Sequence, residues 1–192
     1  MMKWVIFIAL TLILYSYNNR DSYYDREIIL CGIGAFILSL AFQSMLDGKS
    51  AEFMEEGFKL VFLGVFLKNT SGTWSEKLKS GALLGLTFST IETFLVLLSD
   101  GRIETLVYRF LLTTTMHMSV GLVMAYYLVR NNKIRAFIIP FSVHYTFNLL
   151  IYSGDLIYLF LFVGFMKILT NSIRYKSRRE EFIRVRGRGV II

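Results

Sequence analysis

Eight ionisable side chains stand inside otherwise apolar stretches of this 192-residue chain: Glu55, Glu56, Lys59, Glu92, Arg109, His117, His144 and Lys167. A charge at the bilayer centre costs about 2.5–3.5 kcal/mol even on a lenient scale, so such groups turn inward and mark function. Lys167 lies near the end of its run, and its long stem lets it reach the interface. The remaining seven include both histidines of the chain. Carboxylates and imidazoles gathered in one place suit hydrolysis, which needs a base to take a proton from water and donors where negative charge develops on a carbonyl oxygen. Glu55 or Glu56 suits the base, and His117 the orienting of water or the relay of its proton. His144 and Asn148, four apart on one helix face, suit the oxyanion. Lys59 and Arg109 read as charge partners of the carboxylates, because buried charges need partners.

Those residues must be carried by helices. Apolar runs fall at 4–17, 28–45, 53–67, 80–98, 104–129, 136–151 and 156–173, several of them at the length of about 17–25 residues that crosses a bilayer. The reading is an all-α polytopic membrane protein: a single helical domain over 1–173 with about seven transmembrane helices, six if 53–67 does not span, followed by a basic tail at 174–192. Composition agrees, with 55% hydrophobic and 18% charged residues, against roughly 45–50% and about 25% in an average soluble domain. The run at 4–17 lacks a small-x-small cleavage site before Asn18 and reads as a retained helix. Cys31 has no partner cysteine, which excludes an intrachain disulfide framework.

The basic residues set the orientation. With seven spans, one side holds Lys3, Lys49 and Arg102. The other holds Arg20, Arg26, Lys68, Lys77, Lys79, Arg130, Lys133, Arg135 and the tail residues Arg174, Lys176, Arg178, Arg179, Arg184, Arg186 and Arg188. Cytoplasmic loops carry the excess of Lys and Arg, which places the chain in the cell membrane with its N-terminus outside and its C-terminus in the cytoplasm. The net charge of +7 is thereby explained as an inside-positive flank suited to anionic lipid rather than to nucleic acid.

Within the helices, Gly81 and Gly85 form a G-x-x-x-G step that admits a close neighbour, and Glu92 follows seven residues later on nearly the same face. Pro140, one turn before His144, removes a backbone donor and predicts a kink. Counted from the helix ends at about 1.5 Å per residue, Glu56, Glu92, His144 and His117 lie in the outer half of the bilayer or near its middle.

In this order the residues resemble the PrsW family of intramembrane proteases, within the superfamily of CAAX-processing and bacteriocin-processing membrane proteases. The resemblance rests on Glu55-Glu56-Gly57-Phe58-Lys59, Phe88-Ser89-Thr90-Ile91-Glu92, His117, and His144-Tyr145-Thr146-Phe147-Asn148, and covers about residues 50–150. Thr113 stands where the family has a phenylalanine four residues before its histidine. The resemblance implies cleavage of a single-span membrane protein, such as an anti-sigma factor, at the extracytoplasmic side, with no obligatory metal or other cofactor. It also favours Glu55 as base, with Glu56 or Glu92 orienting its partners. Two rivals stand beside it. One is a non-catalytic scaffold like the APH subunit of gamma-secretase. The other is a divalent-metal protease or transporter, for which the chain has the ligand types but no H-E-x-x-H helix.

Overall fold

A computed structural model describes residues 23–45, 51–100, 103–154 and 156–188, with the side chains of 23, 24, 97, 100, 103–110 and 184–188 outside that description. The described residues form six helices and no strand: α1 (Tyr23–Met45), α2 (Ala51–Asn69), α3 (Trp74–Asp100), α4 (Ile103–Val129), α5 (Lys133–Ser153) and α6 (Leu156–Arg188). Six of the expected seven helices thus stand among the described residues, and the run at 4–17, where the other was expected, lies outside them. Among the described residues, four helices, α1, α4, α5 and α6, are long and apolar enough to cross a membrane. At α2 the shortfall has a physical cause, since Glu52, Glu55, Glu56, Lys59 and Lys68 interrupt its 19 residues. The α2 helix nonetheless shows Phe53, Val61 and Val65 outward and buries Glu56 and Lys59. An apolar outside around a polar inside is the arrangement expected where the surrounding solvent is lipid.

The α4 helix is the central post, with 72% of its apolar stretch Leu111–Val129 buried, against 17–28% for the corresponding stretches of α1, α5 and α6. Its most extensive partner is α3. The reason is the small-residue seam: a Cβ added at Gly81 would collide with the carbonyl oxygen of Gly121, and one at Gly85 with the carbonyl oxygen of His117. With no side chain between them the two backbones come into direct contact. This seam fixes the height of His117 against α3.

Local chemistry sets the turns. Thr73 caps α3: its backbone N–H donates to Glu76 Oε2 at 2.7 Å, and the Glu76 N–H donates back to Thr73 Oγ1 at 3.3 Å, a reciprocal capping box. Asn132 caps α5 by accepting from the Arg135 N–H at 3.1 Å, and Gly154 ends α5 in the left-handed region at φ 75°, the usual glycine stop. The α6 helix does not stop near 174 as the polar tail predicts. It continues to Arg188, held to the end of α4 by the Arg130 guanidinium, which donates to both carboxylate oxygens of Glu180.

Contacts fix helix directions: Gln43 meets Glu55, Glu52 meets Asn148, and Gly85 meets His117. Thus α1, α3 and α5 run one way and α2, α4 and α6 the other. One end of the bundle gathers the last turns of α1, α3 and α5 and the first turns of α2, α4 and α6. The opposite, basic end gathers 70–73, 130–132 and the last turns of α6.

Candidate active site in the bundle core

On α2, Glu52, Glu55, Glu56 and Lys59 recur at three and four residues and share the face turned to α4 and α5. On α3, Gly85, Phe88 and Glu92 continue the glycine seam. Midway along α4 stands His117, wholly buried, and on α5 His144 is 3% exposed, in line with the buried Ala136, Pro140 and Phe147. Four helices thus each supply a part of one cluster, and candidate ligand atoms of Glu55, Glu56, His117 and His144 all lie within 4.8 Å of one another.

Lys59 is the hub. Its ammonium donates to Glu56 Oε1 at 2.7 Å and lies 2.8 Å from His117 Nδ1, while the Phe88 ring lies 3.9 Å away. Two hydrogen bonds and a cation–π contact satisfy a charge that would otherwise be prohibitive in a dry core. A charged ammonium is donor only, so His117 Nδ1 is the acceptor and Nε2 carries the proton, which it donates to Glu92 Oε2 at 2.9 Å. Both nitrogens of His117 are therefore engaged. His144 Nδ1 lies 2.8 Å from Glu56 Oε1, the oxygen that also accepts from Lys59, and the two imidazoles meet edge to face at 4.9 Å between centroids.

The paired glutamates are not equivalent. Glu56 is fully buried and its Oε1 takes two donors, so it anchors the network, although its Oε2, like that of Glu55, has no hydrogen-bond partner. The Glu55 side chain is 13% exposed; its Oε1 accepts from the Gln43 amide at 3.2 Å, and its Oε2 has no hydrogen-bond partner. Helical spacing pairs Glu55 with Lys59 at i,i+4, yet their separation is 4.0 Å and the close ion pair is Glu56–Lys59. Asn148 donates its amide to Glu52 Oε1 at 2.8 Å, one turn toward the less basic end, so that amide is already committed to a carboxylate. The side chain of Arg109, which the sequence suggests as a second charge partner, lies outside the described residues.

Three members of the network are not singled out by sequence reasoning. Gln43 sits on α1, outside the motif region, and gives no signal of its own. Phe88 opens a quoted motif, but only the fold puts its ring against an ammonium. Glu52 is legible only through its i,i+4 relation to Glu56.

The donor set also admits a test of the metal alternative. Two carboxylates and two imidazoles are ordinary zinc ligands. Here the Lys59 ammonium already holds Glu56 Oε1 and His117 Nδ1, so a divalent ion would have to displace a buried cation to use them. Compared with protein-family models, curated proteins and solved structures, the chain matches none.

Proposed function

We propose that this chain is a PrsW-like intramembrane endopeptidase with a glutamate base, acting without a metal on a single-span membrane protein. The observation that carries the reading is the asymmetry of the glutamate pair: Oε2 of each lacks a hydrogen-bond partner, but Glu56 is wholly buried with its Oε1 locked between Lys59 and His144, whereas Glu55 accepts only from Gln43 and is partly exposed. An unpartnered oxygen on the less buried and less tightly paired of the two carboxylates, next to a fixed cationic hub, is where a water molecule can be held and deprotonated.

In the proposed reaction Glu55 Oε2 takes a proton from water as the water oxygen bonds to the scissile carbonyl carbon. The carbonyl oxygen becomes an oxyanion, for which a protonated His144 offers Nε2–H, since its Nδ1 is occupied by Glu56 and Nε2 has no partner among the described residues. The C–N bond then breaks, and the proton passes from Glu55 to the leaving nitrogen. His117, bridged between Lys59 and Glu92, sets the position of the ammonium rather than meeting substrate. The site lies toward the end with few basic residues, which under the positive-inside rule is extracytoplasmic. A seventh span at 4–17, an N-terminus outside, and an anti-sigma factor as substrate belong to the same proposal and rest on the sequence pattern and the family resemblance.

The test is co-expression with candidate single-span substrates. Wild type is expected to cut at least one, and Glu55→Gln, which inserts normally, to cut none. Cleavage persisting in Glu55→Gln and His144→Ala would overturn the reading. A partner retained by both the wild type and the variants, with no cut product in any, would instead favour the scaffold.

A further inference from the structure

At the basic end, far from the Glu/His cluster, a cavity of about 130 Å³ lies between the first turns of α3 and the extension of α6, lined by Ser75, Leu78, Lys79, Arg174, Ser177 and Arg178. At about 30 Å³ per water it has room for roughly four waters, the scale of one phosphate group. Three of the six lining residues are cations, two are hydroxyls, and none is a carboxylate. The nearest acid on α3, Glu76, is turned back onto the Thr73 cap. Glu180 of α6 is held by Arg130.

Ser177 is the second, independent sign. It is 1% exposed, and its Oγ is buried without a hydrogen-bond partner. A helical serine ordinarily bonds a carbonyl of its own preceding turn, as Ser172 does to Ile168 and Thr170 to Lys167 on this same helix. An unpaired buried hydroxyl is unfavourable, and this one faces a cavity rimmed by two guanidiniums and an ammonium. Ser75 adds a hydroxyl in the first turn of α3, where backbone N–H groups lack intrahelical acceptors and the helix dipole favours an anion.

We infer that this cavity is a phosphate-binding site, closed by the Ser177 hydroxyl and clamped by Lys79, Arg174 and Arg178. Three cations exceed what a lone carboxylate needs, and guanidiniums match the tetrahedral oxygens of a phosphate in bidentate fashion. The phosphate is carried either on an anionic lipid headgroup, which lies at this level of a membrane, or on a small soluble molecule. The site binds where α6 meets α3, so its occupant ties the helical extension to the bundle.

The purified full chain in nonionic detergent is titrated separately with dihexanoyl phosphatidylglycerol and with inorganic phosphate, following thermal unfolding and binding. Saturable binding of at least one is expected. Saturation by inorganic phosphate assigns a soluble source, and saturation by the lipid alone assigns the headgroup. Ser177→Ala, which removes an unpaired hydroxyl and so keeps the fold, is expected to weaken binding about tenfold, the worth of one hydrogen bond to a charged group. The pair Arg174→Gln with Arg178→Gln is expected to abolish saturation, while Lys176→Gln, an exposed neighbour outside the cavity, changes affinity less than about twofold. No saturable binding of either probe, or a loss in Lys176→Gln as large as in Arg178→Gln, would show only diffuse attraction to a basic helix and overturn the site.

Discussion

The ammonium of Lys59 lies 2.8 Å from Nδ1 of His117, and this one contact orders the site. It fixes the imidazole tautomer, sends the Nε2 proton to Glu92, and leaves Glu56 as the counter-charge. Removing the cation strands a buried carboxylate. Lys59→Met is therefore expected to destabilise the protein by about 3–5 kcal/mol, read as a large drop in the midpoint of thermal unfolding in detergent. An unchanged midpoint would mean that the network is not the hub described.

The two neighbouring glutamates should separate by phenotype. Glu55→Gln keeps an acceptor for Gln43 and touches no close ion pair, so stability is expected to stay near wild type while cleavage falls by about 10²–10⁴. Glu56→Gln removes the charge between Lys59 and His144 and is expected to lower the unfolding midpoint as well as activity. Unfolding curves and cleavage assays on the same preparations make the comparison.

The hub also predicts the response to metal removal. Because Lys59 already occupies two of the four candidate ligand groups, cleavage is expected to survive prolonged chelation, and the purified chain to carry no stoichiometric zinc. One zinc per chain together with activity lost to chelator and restored by zinc would reverse that assignment.

Glycines at the seam and away from it should behave oppositely. Gly85→Ala drives a methyl into the carbonyl of His117, and overpacking of this kind costs about 1–3 kcal/mol or more. Gly64→Ala on α2 meets nothing within 4 Å and should gain about 0.5–1 kcal/mol from helix propensity. Loss of activity is expected for the first alone, since only it moves His117.

Outside the apolar stretches, the capping box carries a pH signature. The Thr73 N–H, and then its hydroxyl, hold Glu76 below its ordinary value of 4.5. A carboxyl depressed in the folded state adds stability above its unfolded pKa and loses it as pH falls through the folded one. Glu76→Gln is thus expected to be less stable than wild type near neutrality, with the gap closing in acid, as unfolding midpoints across that range can show.

Much of the fold was legible because helices long and apolar enough to cross a membrane leave a one-dimensional trace. Apolar runs at 28–45, 53–67, 80–98, 104–129 and 136–151 fall within α1 to α5, usually with a few further turn residues at the ends, since the flanking polar residues are helical too. The run 156–173 was too short by fifteen residues, because α6 is prolonged by packing on α3 and α4 and by the Arg130–Glu180 pair, which no local pattern announces.

In the site, the sequence by itself determined which residues have no inexpensive place in a membrane helix: Glu55, Glu56, Lys59, Glu92, His117 and His144 are conspicuous because burying a charge is costly. It determined the close α3 seam as well, since Gly81 and Gly85 leave nothing to keep another backbone away. Only the tertiary structure decided partners. Lys59 chose Glu56 at i,i+3 over Glu55 at i,i+4, Asn148 was given to Glu52, and Gln43 reached in from α1. Spacing along one helix limits which side chains share a face, whereas hydrogen bonds between helices depend on their heights and rotations, and these follow from how the whole bundle packs.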